Sequence, residues 1–189
     1  MRRLPTSLPG LALIEPAVHR DERGFFLESY RERDLAGLGV TERWVQDNHS
    51  RSARGVLRGL HFSIGEGQAK LVRCARGAIY DVAVDLRRGS PTYGRWEGVT
   101  LDDERLLALY IPVGFAHGFC VLSDVADVVY KCSSYYSADV ERGIAYDDPD
   151  VGVEWPDPPH TVSGRDASAP RLAEVAADLP FVWNPAAAD

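Results

Sequence analysis

No apolar run in this 189-residue chain approaches the ~18 residues that a membrane-spanning helix requires. Lysine is nearly missing: apart from Lys70 and Lys131, every basic residue is arginine. With 21 basic and 28 acidic residues the net charge is −7, so the chain lacks the overall basic footprint of a nucleic-acid binder. A local basic pocket for a phosphorylated small molecule remains open. Cysteine is scarce and odd in number, with Cys74, Cys120 and Cys132 and no C-x-x-C pair. Neither a disulfide framework nor a zinc ribbon is indicated, and all three thiols fall in apolar, strand-like segments as buried structural residues. Arg2-Arg3 superficially matches a twin-arginine signal, but the apolar run after it, Leu11 to Ile14, stops at Glu15. A cytoplasmic protein without membrane attachment is expected. There is no internal repeat, and helical periodicity is sparse.

What remains is period-two alternation broken by frequent turns. In Tyr80-Asp81-Val82-Ala83-Val84-Asp85-Leu86 the even positions are apolar and the odd ones carry both acids, and Arg88-Gly89-Ser90-Pro91 reads as the turn that follows. Further strands are predicted at 24–30, 55–62, 70–75, 96–101, 108–112, 118–122 and 125–133, with short helices only at 32–38 and 171–179. Many short strands with Gly and Pro punctuation indicate an all-β antiparallel sandwich or barrel with small peripheral helices. The chain turns Pro-rich after Trp155, and its Ala-rich last residues are expected to be disordered. Residues 1–189 read as one domain.

Alternation also places polar residues on apolar faces. Lys70 shares a face with Val72 and Cys74, Tyr130 with Ala126, Val128 and Cys132, and His117 with Phe115, Phe119 and Val121. His61 falls with Leu57 and Gly59. An inward tyrosine or histidine alone is usually a satisfied core residue, but an inward lysine is almost never buried unpaired. The four together favour a wet site inside the barrel. Arg58 has the opposite parity to His61, so it faces outward unless Gly59 carries a bulge.

Pro112-Val113-Gly114-Phe115-Ala116-His117 fits the P-x-G-x-x-H pattern of the cupin jelly roll. The upstream half should show H-x-H followed by an acid, yet it reads His61-Phe62-Ser63. Two imidazoles are fewer than the three protein ligands usual for a catalytic metal, so a cupin-like barrel without metal is expected. Its histidines are then free for acid–base work.

The chain resembles the deoxythymidine-diphosphate (dTDP)-4-dehydrorhamnose 3,5-epimerases. The resemblance runs from residue 9 to about 175. It is carried by Asp21 to Glu28, Gln46-Asp47-Asn48, Arg54 to Phe62, Gln68 to Val72, Asp81 to Arg87, Gly89 to Gly94, Ile111 to Phe119, Tyr130-Lys131 and Ser163 to Asp166. Arg-Gly-Leu-His followed at this spacing by the P-x-G-x-x-H segment is the specific part. The resemblance implies a jelly-roll homodimer with exchanged N-terminal strands and no cofactor. It implies a dTDP-4-keto-6-deoxyhexose substrate inverted at sugar carbons 3 and 5.

The roles it implies suit the residue types. Enolisation beside a ketone needs charge stabilisation on the oxygen, which Lys70 can supply. His61 is the base, Asp166 the carboxylate that orients it, and Tyr130 the donor on the opposite face. From the residues alone Asp166 reads as a solvated loop acid. Arg23, Arg58 and His117 match positions that meet diphosphate and sugar. Glu28, Gln46, Asp47 and Asn48 match thymidine- or sugar-contacting positions, with Arg23 and Glu28 coming from a partner chain. Tyr136 matches the aromatic stacked on thymine, and Glu141 and Arg165 match further binding positions. Arg165 stands where the family usually has lysine, which keeps the charge with a different geometry; Ser63 departs from a common glutamine and the turn Ile64-Gly65-Glu66-Gly67 is atypical, and these changes beside the base bear on which carbon is inverted. Alternative readings are a mono-epimerase acting at carbon 3 or 5, a non-catalytic carbohydrate-binding jelly roll, and a metal-dependent cupin.

Overall fold

The computed structural model describes residues 1–156 and 160–185. The expectation for the last residues, 186–189, lies outside this range. Among the described residues, thirteen strands form two antiparallel sheets and a hairpin, joined by very short helices. The first sheet has the order β1 (Arg2–Leu4), β2 (Ala12–Glu15), β10 (Ala108–Ile111), β7 (Lys70–Arg76), β12 (Val125–Cys132), β5 (Gln46–Ala53). The second runs β13 (Glu141–Gly143), β6 (Leu57–Ser63), β11 (Phe115–Val121), β8 (Ala78–Asp85), β9 (Trp96–Asp102). The hairpin β3 (Val18–Asp21) with β4 (Gly24–Leu27) pairs with neither sheet. Among the described residues, no helix is long and apolar enough to cross a membrane.

The apolar core lies between the sheets. Val72 and Cys74 of β7, Ala126 and Val128 of β12, and Phe115, Phe119 and Val121 of β11 pack there, on the faces that alternation assigned. Removing such side chains from water supplies most of the drive for the two sheets to face each other. Strand β8 is buried on both faces. Ile79 and Ala83 enter the inter-sheet core, while Val82, Val84 and Leu86 join a second cluster against Leu172, Leu179 and Phe181. The acids Asp81 and Asp85 are therefore on the inward side and fully buried. The apolar face of this strand is covered by the C-terminal segment.

Asp85 is a structural anchor. It accepts from Arg87 Nε and Nη2, each at 2.8 Å, from Ser90 Oγ at 2.6 Å and from Thr92 Oγ1 at 2.7 Å. Burial opposes its charge, yet these donors hold its carboxyl below the ordinary range. Arg87 in turn lies between Phe115 and Trp183, 4.3 and 4.5 Å from the ring centroids, which ties the C-terminal segment to the barrel.

Several predicted boundaries move. The strand expected over 24–30 stops at Leu27, because Arg31 already begins α1 (Glu32–Ala36). The strand expected from residue 55 starts at Leu57, since Gly55 turns with φ +77°. The helix expected over 171–179 is α3 (Leu172–Val175) followed by a 3-10 turn at Ala176–Asp178.

Candidate active site

Between the sheets the polar inward residues open a cavity of about 540 Å³. The first sheet supplies Lys70, Tyr130 and the inner side of β5, where Gln46, Asn48 and Ser50 alternate inward. The second supplies Arg58, His61, His117, Phe119 and Glu141. The segment carrying Thr161, Ser163, Arg165 and Asp166 forms one wall. It is held there by Leu57 N–H donating to the Thr161 carbonyl and Thr161 N–H to that of Gly55, both at 2.9 Å.

Arg58 and His61 reach the same cavity through a bulge. His117 pairs with His61 and Phe119 with Arg58, so Gly59 and Leu60 together oppose Gly118. Gly59 has φ +134°, and a Cβ there would sit 2.5 Å from the Gly118 Cα. Only glycine fits both that conformation and that approach. The extra residue reverses the parity after Gly59 and aims both side chains inward. Its N–H reaches Asp166 Oδ2 at 3.4 Å.

Asp166 lies on α2 (Gly164–Ala167), whose N-cap Ser163 accepts the Asp166 N–H at 3.1 Å. Its Oδ1 is 2.7 Å from His61 Nε2. Burial pushes the His61 imidazole below its ordinary range, with Asp166 pulling the other way. The ring is thus a neutral base, aligned by a buried carboxylate. Lys70 is buried and makes no hydrogen bond or ion pair to the described residues. Burial lowers its pKa, opposed by the charges of Glu141, Cys132 and Asp81. An unpartnered ammonium facing a cavity is costly unless an anionic oxygen is to meet it there. Tyr130 stands across β12 from Asn48; burial raises its phenol pKa, so it stays protonated as a donor, with Asn48 acting the other way.

Of the expected site residues, His61, Lys70, Tyr130, Asp166, Gln46, Asn48, Arg58, His117, Tyr136, Glu141 and Arg165 all line this cavity. Three do not. Asp47 points to the opposite face of β5 and binds Lys131 at 2.9 Å, because neighbours on a strand cannot share a face. Arg23 is held by Asp21 at 2.6 Å and Glu28 by Arg31 at 3.2 Å, both exposed at the unpaired hairpin and the loop after it. Arg165 approaches Glu141 at 4.0 Å at the cavity wall. Ser63 does not line the cavity and donates to the Ile64 carbonyl at 3.3 Å. Sequence reasoning missed Asp81, fully buried, whose Oδ1 is 2.6 Å from His117 Nε2. The available signal was the acidic position on an inward-facing strand. Gln68 and Ser50 were also missed as lining residues. Among the described residues, no three His, Cys, Asp or Glu side chains converge as metal ligands.

The family model for dTDP-4-dehydrorhamnose 3,5-epimerase matches residues 5–174. The chain belongs to this family. A dTDP-4-dehydrorhamnose 3,5-epimerase of Methanothermobacter thermautotrophicus is 54% identical over 155 residues, covering 82% of this chain and 84% of that one. An epimerase of Legionella pneumophila, solved in complex with dTDP-4-keto-L-rhamnose, superposes with a TM-score of 0.94 at 45% identity. That match covers 97% of this chain and 98% of the other. A dTDP-4-dehydrorhamnose 3-epimerase of Streptomyces niveus is 45% identical over 176 residues, covering 92% and 85%. Membership makes the chain an epimerase of the cupin-like type.

Proposed function

We propose that the chain converts dTDP-4-dehydro-6-deoxy-D-glucose to dTDP-4-dehydro-L-rhamnose by successive inversion at sugar carbons 3 and 5. The observation that carries this reading is the convergence of His61–Asp166, unpartnered Lys70 and Tyr130 on one cavity. Nε2 of His61 is committed to Asp166, so Nδ1 takes the proton from the carbon beside the ketone. The C–H electron pair moves onto the ketone oxygen, and Lys70 donates a hydrogen bond to the enolate. The Tyr130 hydroxyl returns a proton to the opposite face, and the enolate collapses to the inverted ketone. Arg58, His117 and Arg165 meet diphosphate and sugar, Tyr136 stacks on thymine, and Gln46, Asn48 and Glu141 complete the binding set. The reading assigns no metal or other cofactor; both cavity histidines give Nε2 to a carboxylate.

The chain acts as one jelly-roll domain within a homodimer. Exchanged N-terminal strands bring Arg23 and Glu28 of one protomer to the site of the other. The two exposed aromatics of β4, Phe25 and Phe26, and the unpaired outer side of edge strand β5 support such pairing. A cytoplasmic location agrees with three buried cysteines that form no disulfide.

Proton NMR of the dTDP-4-keto sugar in deuterated water with the enzyme tests the reaction. Deuterium entry with inversion at both carbons is expected. Inversion at carbon 3 alone would select the second reading, which the similarity to the Streptomyces niveus 3-epimerase supports. Absence of exchange at both carbons would remove both readings.

A further inference from the structure

Two acids of β8 face inward, and they differ in kind. Asp85 has a full set of donors at a turn. Asp81 has one hydrogen-bond partner, His117, and its Oδ2 is buried with no partner among the described residues. A fully buried carboxylate so short of donors is a poor stabilising element; an apolar residue of similar volume would pack there at less cost. Its single contact goes to a histidine that lines the substrate cavity.

His117 lies directly opposite His61 across β11 and β6. Both rings give Nε2 to a buried carboxylate, at 2.6 and 2.7 Å. Along the second sheet the order is Asp81 on β8, His117 on β11, His61 on β6, then Asp166 on α2. The site thus contains a second carboxylate–histidine pair, set beside the first. A carboxylate can only accept, so it fixes the ring proton at Nε2 and leaves Nδ1 free for another partner.

We propose that Asp81 is a positioning residue of this site: it holds the ring proton of His117 at Nε2, so that Nδ1 is the atom presented to the bound nucleotide sugar. Asp81 touches no substrate itself and acts through His117. The inference rests on the nucleotide-sugar reading for what Nδ1 meets, but the state of the pair can be judged without substrate.

The first test is nitrogen-15 NMR of the imidazoles in the free wild-type enzyme. A proton on His117 Nε2 is expected; a bare Nε2 with the proton on Nδ1 would overturn the proposal. The second is Asp81→Asn, whose amide can donate to Nε2 and move the ring proton to Nδ1. A change in His117 tautomer and a rise in KM of about tenfold or more are expected, with kcat less affected, because a protonated Nδ1 can no longer accept from a sugar hydroxyl. The third is a double-mutant cycle with His117→Ala. If Asp81 acts through His117, adding Asp81→Asn to that background changes kcat/KM by less than about twofold. Fully additive kinetic losses, together with a lowered unfolding midpoint and an unchanged tautomer, would make Asp81 a structural acid and overturn the proposal. If the deuterium assay fails while the NMR shows Nε2 protonated, the substrate reading falls and the pair stands.

Discussion

At the scale of single residues, the proposed reaction separates proton removal from proton return. His61 is neutral because burial outweighs the pull of Asp166, so the base form persists below the ordinary imidazole range. A base is active when unprotonated; the acid limb of kcat/KM should therefore lie below ~6.5, the unperturbed imidazole pKa. A pH profile of the free enzyme checks this, and an acid limb above that value would contradict it. His61→Ala should abolish deuterium entry at both carbons, since it removes the imidazole that Asp166 aligns as the proposed base. Tyr130→Phe should act differently. Enolate formation by His61 and Lys70 does not need the phenol, so deuterium still enters from the His61 side while inversion falls by ~10²–10⁴-fold. NMR of exchange alongside the stereochemistry of the reduced sugar checks it; unchanged inversion would make Tyr130 a packing residue. His61, Lys70, His117 and Tyr130 were legible as cavity residues because each is chemically out of place on an apolar strand face; Asp166, on a short helix, was reached only through the resemblance. Asp81 was not legible, because Val82, Val84 and Leu86 made the other face of β8 look like the core. That face is indeed buried, but under a C-terminal segment whose docking no local pattern announces.

At the scale of elements, legibility followed hydrophobic alternation and failed where the cavity replaces it. The strands β7, β11 and β12 pack apolar residues between the sheets and were found. Strand β5 was not, because its inward positions are Gln46, Asn48 and Ser50 and its outward ones Asp47, His49 and Arg51, so no apolar period exists. A strand that lines a wet cavity at a sheet edge looks like a loop in sequence. Strands β1, β2 and β13 are three or four residues long, too short to show a period. The bulge in β6 was foreseen as a condition, from the parity conflict between Arg58 and His61 with a glycine between them. It makes a sharp prediction. Gly59→Ala places a methyl 2.5 Å from the Gly118 Cα at φ +134°. Backbone strain of this kind costs ~1–3 kcal/mol, and relief by closing the bulge would turn Arg58 away from the cavity. A lowered denaturant midpoint and a loss of kcat/KM beyond what the stability change explains are expected. Gly118→Ala tests the same contact from the other side, since its Cβ would meet the Arg58 carbonyl at 2.8 Å without a positive φ.

At the scale of the whole molecule, one chain holds the full proposed acid–base set but not the full expected binding set. Arg23 and Glu28 lie outside the cavity, on a hairpin and loop that pair with neither sheet, with Phe25 50% and Phe26 67% exposed. Two exposed aromatics on a short unpaired hairpin are a poor end state for a lone protomer. If the hairpin completes the partner's site, each site takes its base from one chain and its Arg23 from the other. Mixing defective chains then distinguishes the arrangements. His61→Ala lacks the base and Arg23→Ala lacks the partner-borne contact, so each homodimer is impaired at both sites. In a heterodimer of the two, one site combines both defects. The other pairs an intact His61 with an intact Arg23. Co-expression with two different affinity tags isolates that heterodimer, so slow exchange of swapped strands does not obscure the result. Its expected kcat/KM is about half that of the wild-type dimer, because one of two independent sites is restored. If Arg23 served its own chain, every site in the heterodimer would keep one defect. Activity would then be no more than the mean of the two parents, and the strand-exchanged dimer would be lost as the source of Arg23.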